Sequence, residues 1–259
     1  MKPRHVLLAA TALLVAVVLT GPVLAGDAAL RTVAPPWSPP GPDLPLGADA
    51  LGRDVLARVL TGGRELALTA GLSALTATTV GAALGVWAGW SRSRAAPVLT
   101  AAADLLLVLP LLLVALVAAV ALPGPWAVVV GTVLGGSPLT LRVVADATRN
   151  ARYTGYVEAA VGRGEPTATV LLREVLPAHA GLLGADLGVR TVLAVQLAAA
   201  LAVLGYGPAP PAADWAVMLR ENLPGMALNP AAVLAPAAAL TLLTVVVAVA
   251  AQRLGQGRR

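Results

Sequence analysis

The chain has 259 residues, of which 58% are hydrophobic and only 12% charged, against about 45–50% and about 25% in soluble globular domains, so lipid is the indicated solvent. It has no cysteine, and its two histidines, His5 and His179, are far apart in sequence, which excludes disulfide, thiolate-metal and zinc chemistry. The net charge of +5 does not point to nucleic acid, because the arginines flank apolar blocks instead of forming one basic face interleaved with aromatics.

A membrane-crossing helix needs about 20 mainly apolar residues, and six segments meet or nearly meet that length. The first, Val6 to Ala25, follows Lys2 and Arg4 and ends in Leu24-Ala25-Gly26. It reads as a signal peptide or an uncleaved signal anchor, and the length of its apolar run favours the anchor. The linker Gly26 to Gly63 is extended where Pro35-Pro36 and Pro39-Pro40 occur. The second span is Leu66 to Trp90, with Gly81, Gly85 and Gly89 at four-residue spacing. That spacing suits close helix packing, although chance placement is equally open in a chain so rich in Gly and Ala. After Ser91-Arg92-Ser93-Arg94 comes the third span, Val98 to Leu122, where Pro110 predicts a kink. The fourth is Trp126 to Val144, the fifth Ala180 to Leu204 and the sixth Ala231 to Ala251, before the basic tail Arg253 to Arg259.

An even number of spans puts both termini on one side, and positive charge chooses the cytoplasm. That orientation leaves Lys2, Arg4, Arg92, Arg94, Arg142, Arg149, Arg152, Arg163, Arg173, Arg253, Arg258 and Arg259 inside. Only Arg31, Arg53, Arg58, Arg64 and Arg220 fall outside, with Arg190 within a span.

The longest cytoplasmic segment, Ala145 to His179, is polar and Arg-rich yet helix-forming. Two short helices should meet there at a turn marked by Gly164 and Pro166. They are read either as an ordinary solvated loop or as a docking surface for a soluble partner. Tyr156-Val157-Glu158-Ala159-Ala160, then Gly164 six positions after Glu158, then Leu176-Pro177, resembles the EAA loop of bacterial ABC importer permeases. The resemblance implies that residues 153–177 hold a coupling helix seated in a groove of a separate ATPase. Glu158 would make a polar contact to that ATPase, and Gly164 would permit the turn. Glu174 departs from the apolar residue usual two positions before the Leu of the Leu-Pro pair.

A second segment, Pro45-Leu46-Gly47-Ala48-Asp49-Ala50-Leu51-Gly52-Arg53-Asp54-Val55-Leu56, is similar to the stretch PLGTDxLGRDVLSR that commonly precedes the second span of the oligopeptide, dipeptide and nickel permeases. Without the resemblance it reads as an interfacial helix with Asp49 as N-cap and with Asp54 and Arg58, four apart, solvated. Asp104-Leu105-Leu106 with Leu109-Pro110 resembles that family's third span. Leu204-Gly205-Tyr206-Gly207, Pro210-Pro211, Asp214-Trp215 and Met218-Leu219 resemble its fifth span and outer loop. The matches run from Asp43 to Gln252, so residues 43–259 form the expected permease core and residues 1–42 a signal-anchor span with its linker.

There is no G-x-x-x-x-G-K-[ST] phosphate loop, and Lys2 is the only lysine, so the chain cannot supply the usual nucleotide-binding lysine. The Gly62-Gly63 and Gly135-Gly136 pairs are too short to cradle phosphate and read as helix-end or packing residues. Ionisable residues within spans are functional candidates by default; here they are Asp104, Asp186 and Arg190. Asp186 and Arg190, four apart, are read as a structural pair or as part of the translocation path, and Asp104 as near enough to the cytoplasm to reach water.

The expected fold is all-α, a polytopic membrane protein of about six spans with a cytoplasmic coupling helix, and the chain is not expected to be an enzyme. It would bind no cofactor, because ATP is used by a partner. The resemblance implies as partners two ABC ATPase subunits, a second homologous permease, an extracytoplasmic substrate-binding protein and membrane lipid, with no nucleic acid. Its cargo would be a peptide, nickel complex or similar small solute. The rival classes are a membrane-embedded enzyme, which lacks a nucleophile or metal cluster at membrane depth, and a secondary transporter driven by an ion gradient.

Overall fold

The computed structural model describes residues 16–18, 20–122, 124–209 and 212–256. Lys2, Arg4, His5 and much of the first expected span lie outside them, as do Pro210, Pro211, Arg258 and Arg259; of that span, residues 16–18 and 20–25 are helical. Among the described residues four helices are long and apolar enough to cross a membrane, and the count is five if one bent pair is taken as a single broken span. Apart from the isolated bridges Thr32–Arg53 and Ala48–Asp54, the described residues contain no strand.

Helix α1, Val55–Trp90, has 36 residues, about 54 Å at 1.5 Å per residue, while the hydrocarbon core is about 30 Å thick. It contains the expected span Leu66 to Trp90 and projects well beyond it. Its N-cap is Asp54, whose carboxylate accepts from the N–H groups of Leu56 at 2.8 Å and Ala57 at 3.4 Å. The expectation that Asp49 caps this helix is therefore corrected.

The expected kink at Pro110 is a full break. Helix α2, Ala95–Val108, and helix α3, Leu111–Ala121, meet at 90°. Leu109 is extended, as the residue before a proline tends to be. At the break the Leu109 N–H donates to the Leu106 carbonyl, and the Pro110 carbonyl accepts from Leu113 and Val114. Helix α4, Trp126–Ala151, outruns its expected end at Val144, so Arg149 stands on a helix and not in a loop.

The glycines of α1 form a seam against α4. A Cβ on Gly81 would lie 2.6 Å from Thr140 Cβ, one on Gly85 2.7 Å from the Leu141 carbonyl oxygen, and one on Gly89 2.4 Å from that of Ala145. Each glycine meets the next turn of α4 in register, so the two helices run parallel and touch backbone to backbone. The four-residue spacing marks a specific interface, which removes the chance reading. Between helices in lipid, van der Waals packing of this kind replaces the hydrophobic drive that water would supply.

After Ala151 come α5, Gly155–Gly162, and α6. The latter starts as Thr167–Val170, passes through a π-helical turn, Leu171–Val175, and ends as Leu176–Ala178. Helix α7, Ala180–Leu201, continues into a second π-helical turn, Ala202–Tyr206, in which Gly205 takes φ 99°. The short α8, Trp215–Asn222, then lies across the start of α1. Its Trp215 is buried over Gly62 and Gly63 and donates from Nε1 to the Val59 carbonyl at 2.7 Å. That glycine pair is a packing feature, as is Gly136, which faces Arg190. Helix α9, Ala231–Gln256, packs on α7, with Gly188 against Ala251. Small and aliphatic residues fill the core, including Leu66 and Ala70 of α1, Ala115 of α3, Val128 of α4 and Ala194 and Leu197 of α7.

The seam yields a test. Gly85→Leu should destabilise the chain by about 1–3 kcal/mol or more through overpacking against backbone. Gly71→Ala, with nothing within 4 Å of an added Cβ, should be neutral or raise stability by up to about 1 kcal/mol. Thermal unfolding in detergent reads both, and equal midpoints for Gly85→Leu and wild type would contradict the seam.

Candidate functional site

At the end of the bundle carrying Trp90 and Ala151, α5 and α6 form a hairpin. Helix α5 closes with a hydrogen bond from the Glu165 N–H to the Ala160 carbonyl at 3.2 Å and one from Gly164 to Val161 at 2.9 Å. This is the paired pattern of a Schellman stop, whose left-handed residue is most often glycine; Gly164 supplies it at φ 74°. Pro166 then redirects the chain into α6. The hairpin has its own small core, in which Val157 and Ala160 of α5 meet Val170 and Val175 of α6, with Ala151, Leu171 and Trp90 around them.

The same geometry turns Tyr156, Glu158 and Ala159 outward, while Ala160 is fully buried. Gly164 and Pro177 are exposed, and Leu176 and Glu174 half-buried. The π-helical turn of α6 includes Arg173 and Glu174, one turn ahead of Pro177, which has no N–H to return to a carbonyl four residues back. Arg152 lies 4.5 Å over the Trp90 ring, a cation–π contact that fastens the hairpin to the end of α1. Trp90, Arg92, Tyr153, Glu158 and Val161 line an open cleft of about 750 Å³ beside α5.

At the opposite end, the stretch around Gly47, Asp49, Gly52, Arg53 and Asp54 is a tight loop, not a helix. Gly47 and Gly52 sit at φ 69° and 73°, and a Cβ on either would strike the carbonyl oxygen of Ser38 or Ala34. The reading of this segment as an interfacial helix with Arg58 solvated fails, because Asp49 and Arg58 are completely buried. Asp49 accepts from the N–H groups of Leu51 and Arg53 and from Arg53 Nε, each at 2.8 Å, and from Arg58 Nη1. Glu221 of α8 receives Arg58 at 3.1 Å and Arg53 at 3.3 Å, so two acids balance two arginines.

Burial pushes the Asp49 carboxyl up, but the hydrogen bonds from the Arg53 backbone and Arg58 prevail and hold it below the usual carboxylate range. Burial raises Asp214, the N-cap of α8, despite the N–H groups of Val217 and Ala216 that it accepts. Asn229 completes the staple by donating to the carbonyls of Ser38, Leu46 and Ala48, while its Oδ1 caps α9 at the Ala231 N–H. Glu221 and Asn229 escaped the sequence reading. Only the Asn-Pro pair at 229–230 carries a local signal, that of a helix start.

Within the spans, Asp186 and Arg190 pair at 3.1 Å. Asp186 also accepts from Thr78 of α1 at 2.9 Å and Thr140 of α4 at 2.8 Å, so one carboxylate clamps three helices. Asp104 stands apart and is paired with Arg142 of α4 in a half-exposed ion pair. Among the described residues no cluster of three or more His, Cys, Asp or Glu is placed to hold a metal.

Residues 81–259, more than half of the chain and including the hairpin, the Asp186–Arg190 pair and the Asp104–Arg142 pair, match the binding-protein-dependent transport system inner membrane component family. The chain belongs to this family. With its apolar spans, membership makes it a multi-pass inner-membrane protein. It is 33% identical over 199 residues to the glutathione transport system permease protein GsiD of Pectobacterium atrosepticum, covering 76% of this chain and 66% of that one. It is 36% identical over 179 residues to the di/tripeptide transport system permease protein DppC of Pseudomonas aeruginosa, covering 68% and 58%. To GsiD of Escherichia coli it is 32% identical over 213 residues, covering 78% and 68%. The aligned region thus spans slightly less than two thirds of the first relative and under three fifths of the second.

In this family member the Asp49 cluster makes a pH-dependent prediction. Asp49→Asn leaves two buried arginines underbalanced and should cost about 3–5 kcal/mol near neutral pH. Because the folded carboxyl titrates below the unfolded value of about 3.9, its contribution is complete above that value and is lost as pH falls through the folded one. The gap in thermal midpoint between wild type and variant should therefore hold from pH 7 to pH 5 and narrow below pH 4. An equal gap at pH 3 and pH 7 would contradict the ionised cluster.

Proposed function

We propose that the chain is the permease subunit of an ABC importer for peptide-like small solutes, with ATP hydrolysed by separate subunits. The observation that carries the reading is the α5–α6 hairpin. It has an internal core, it sits at one end of the spans, and it holds Tyr156, Glu158 and Ala159 outward in a chain of the binding-protein-dependent transport family. Such an element has no use for lipid contact and suits a groove on a soluble protein.

The hairpin end is cytoplasmic, as the arginine imbalance favours, and both termini share that side. Glu158 makes a polar contact to the ATPase, Ala159 lies flat against it, and Gly164, Leu176 and Pro177 shape the turn and the return helix. The complete machine contains two ABC ATPases, a second homologous permease and an extracytoplasmic substrate-binding protein. This chain binds no cofactor and no nucleic acid. Residues 43–259 make the permease core, and residues 1–42 its leading span and linker. The peptide-like cargo follows the names of the relatives, which act on glutathione and on di- and tripeptides.

Glu158→Lys or Gly164→Val should leave membrane insertion intact, reduce uptake at least tenfold and weaken co-purification of the ATPases. Normal uptake and normal ATPase recovery in both variants would remove the docking role.

A further inference from the structure

Where α1, α2 and α4 come together at the hairpin end, the cations outnumber the acids. The loop Ser91-Arg92-Ser93-Arg94 joins the end of α1 at Trp90 to the start of α2 at Ala95. It therefore connects two consecutive apolar helices and lies at a bilayer surface. The glycine seam sets α4 level with it: a Cβ on Gly89 would lie 2.8 Å from Thr148 Cβ, and Arg149 and Arg152 follow within the next turn. Arg92, Arg94, Arg149 and Arg152 line one open cleft of about 590 Å³, together with Ser91 and Ser93. Arg149 is answered by Asp146 at 2.7 Å, whereas Arg92, Arg94 and Arg152 have no ion pair among the described residues.

Three uncompensated cations in one cleft repel one another. Burial, and then the charge of Arg92 beside it, push the Arg152 guanidinium below its usual range. Stacking over the Trp90 ring at 4.5 Å holds Arg152 in place, and the edge of its guanidinium carries N–H donors for an anion. The loop is fixed as well: Ser91 Oγ accepts from the Ser93 N–H at 3.0 Å and Ser93 Oγ from the Ala95 N–H at 3.2 Å, so both hydroxyls keep a proton to donate. Forked donors and surplus positive charge of this kind suit a phosphate.

The apolar side of the cleft selects which phosphate. It is walled by Ala96 and Pro97 at the start of α2. The next residue, Val98, is 69% exposed, and Leu105 and Val108 continue the apolar surface along the helix at 73% and 78%. We propose that this cleft binds the phosphate of an anionic phospholipid through Arg92, Arg94 and Arg152, with the acyl chains laid along α2. Basic pockets between membrane helices hold such headgroups by the same chemistry, and a soluble anion would leave the apolar face unused. Because Arg152 also fastens the hairpin to α1, an occupied cleft braces the loop, the end of α4 and the root of the hairpin together. The proposal needs only a chain in the membrane and does not depend on ATPase docking.

The test uses the complete complex with its partner permease and ATPases, delipidated in detergent and titrated with phosphatidylglycerol or phosphatidylcholine, bound lipid being counted by native mass spectrometry. Wild type should prefer phosphatidylglycerol about tenfold or more. Arg92→Gln combined with Arg94→Gln, both exposed and unpaired, should weaken that binding about tenfold or more, since each arginine near an anionic headgroup contributes about fivefold. Arg173→Gln combined with Arg253→Gln removes equal charge from the same end of the bundle outside the cleft and should change binding by less than about twofold, because separated surface charges are screened. Inorganic phosphate, which has no acyl chains, should not displace the lipid.

Equal phosphatidylglycerol binding by wild type and the Arg92/Arg94 variant would overturn the proposal. So would an equal loss in both double variants, which would mean a diffuse positive surface. Displacement by inorganic phosphate that depends on Arg92 and Arg94 would make the ligand a soluble anion and overturn the lipid assignment. Loss of the ATPases from the Arg92/Arg94 variant with lipid binding unchanged would make the cleft a protein contact and overturn it too. If the double variant fails to assemble, Arg94→Gln alone decides: a loss of about fivefold supports the site, and binding equal to wild type contradicts it.

Discussion

A charge or a backbone polar group carried into hydrocarbon must find its partner inside the protein, and the architecture of this chain follows from that demand. Where Pro110 interrupts the third span, the Leu106 carbonyl, which loses its donor four residues on, accepts from the Leu109 N–H instead. Where Asp186 enters the bundle, Arg190, Thr78 and Thr140 converge on it from three helices. The Asp104–Arg142 pair neutralises its charges without burying them, and this difference separates the two intramembrane ion pairs in role.

The same elements give the proposed coupling a mechanical route. Helix α1 runs from the buried Asp49–Arg58 cluster at one end to Trp90 at the other, where Arg152 fastens the hairpin to it. Helix α4 lies along α1 through the glycine seam and runs directly into the hairpin after Ala151. A displacement of the hairpin is therefore delivered to two helices that touch backbone to backbone and resist sliding. They should carry it to the far loops as a rigid pair. In the two-state language of transport, an event at either end biases one shared equilibrium.

Features that depend on neighbours in sequence were legible before the fold was known. Hydropathy located the spans found among the described residues, the four-residue spacing of Asp186 and Arg190 indicated their pairing, and Gly164 marked the turn of the hairpin. Features that depend on distant partners were not. Asp49 looked like a solvated helix cap because Arg58 and Glu221, which bury and neutralise it, reach it only through the fold. Asn229 binds carbonyls more than 180 residues upstream, and Arg142 meets Asp104 across a separation of 38 residues. The extra length of α1 was hidden because its first turns carry Arg58, Arg64 and Glu65, whose charges lower local hydropathy without opposing helix.

The account stands or falls on energy reaching this chain from an ATPase docked on its hairpin. Its most direct test is solute uptake and ATP hydrolysis in proteoliposomes containing the chain, its partner permease, the ATPases and the binding protein. The account predicts that uptake requires ATP and that hydrolysis rises when solute-loaded binding protein is added outside. Uptake that continues without the ATPases and follows an imposed ion gradient would contradict it and make the chain a secondary transporter.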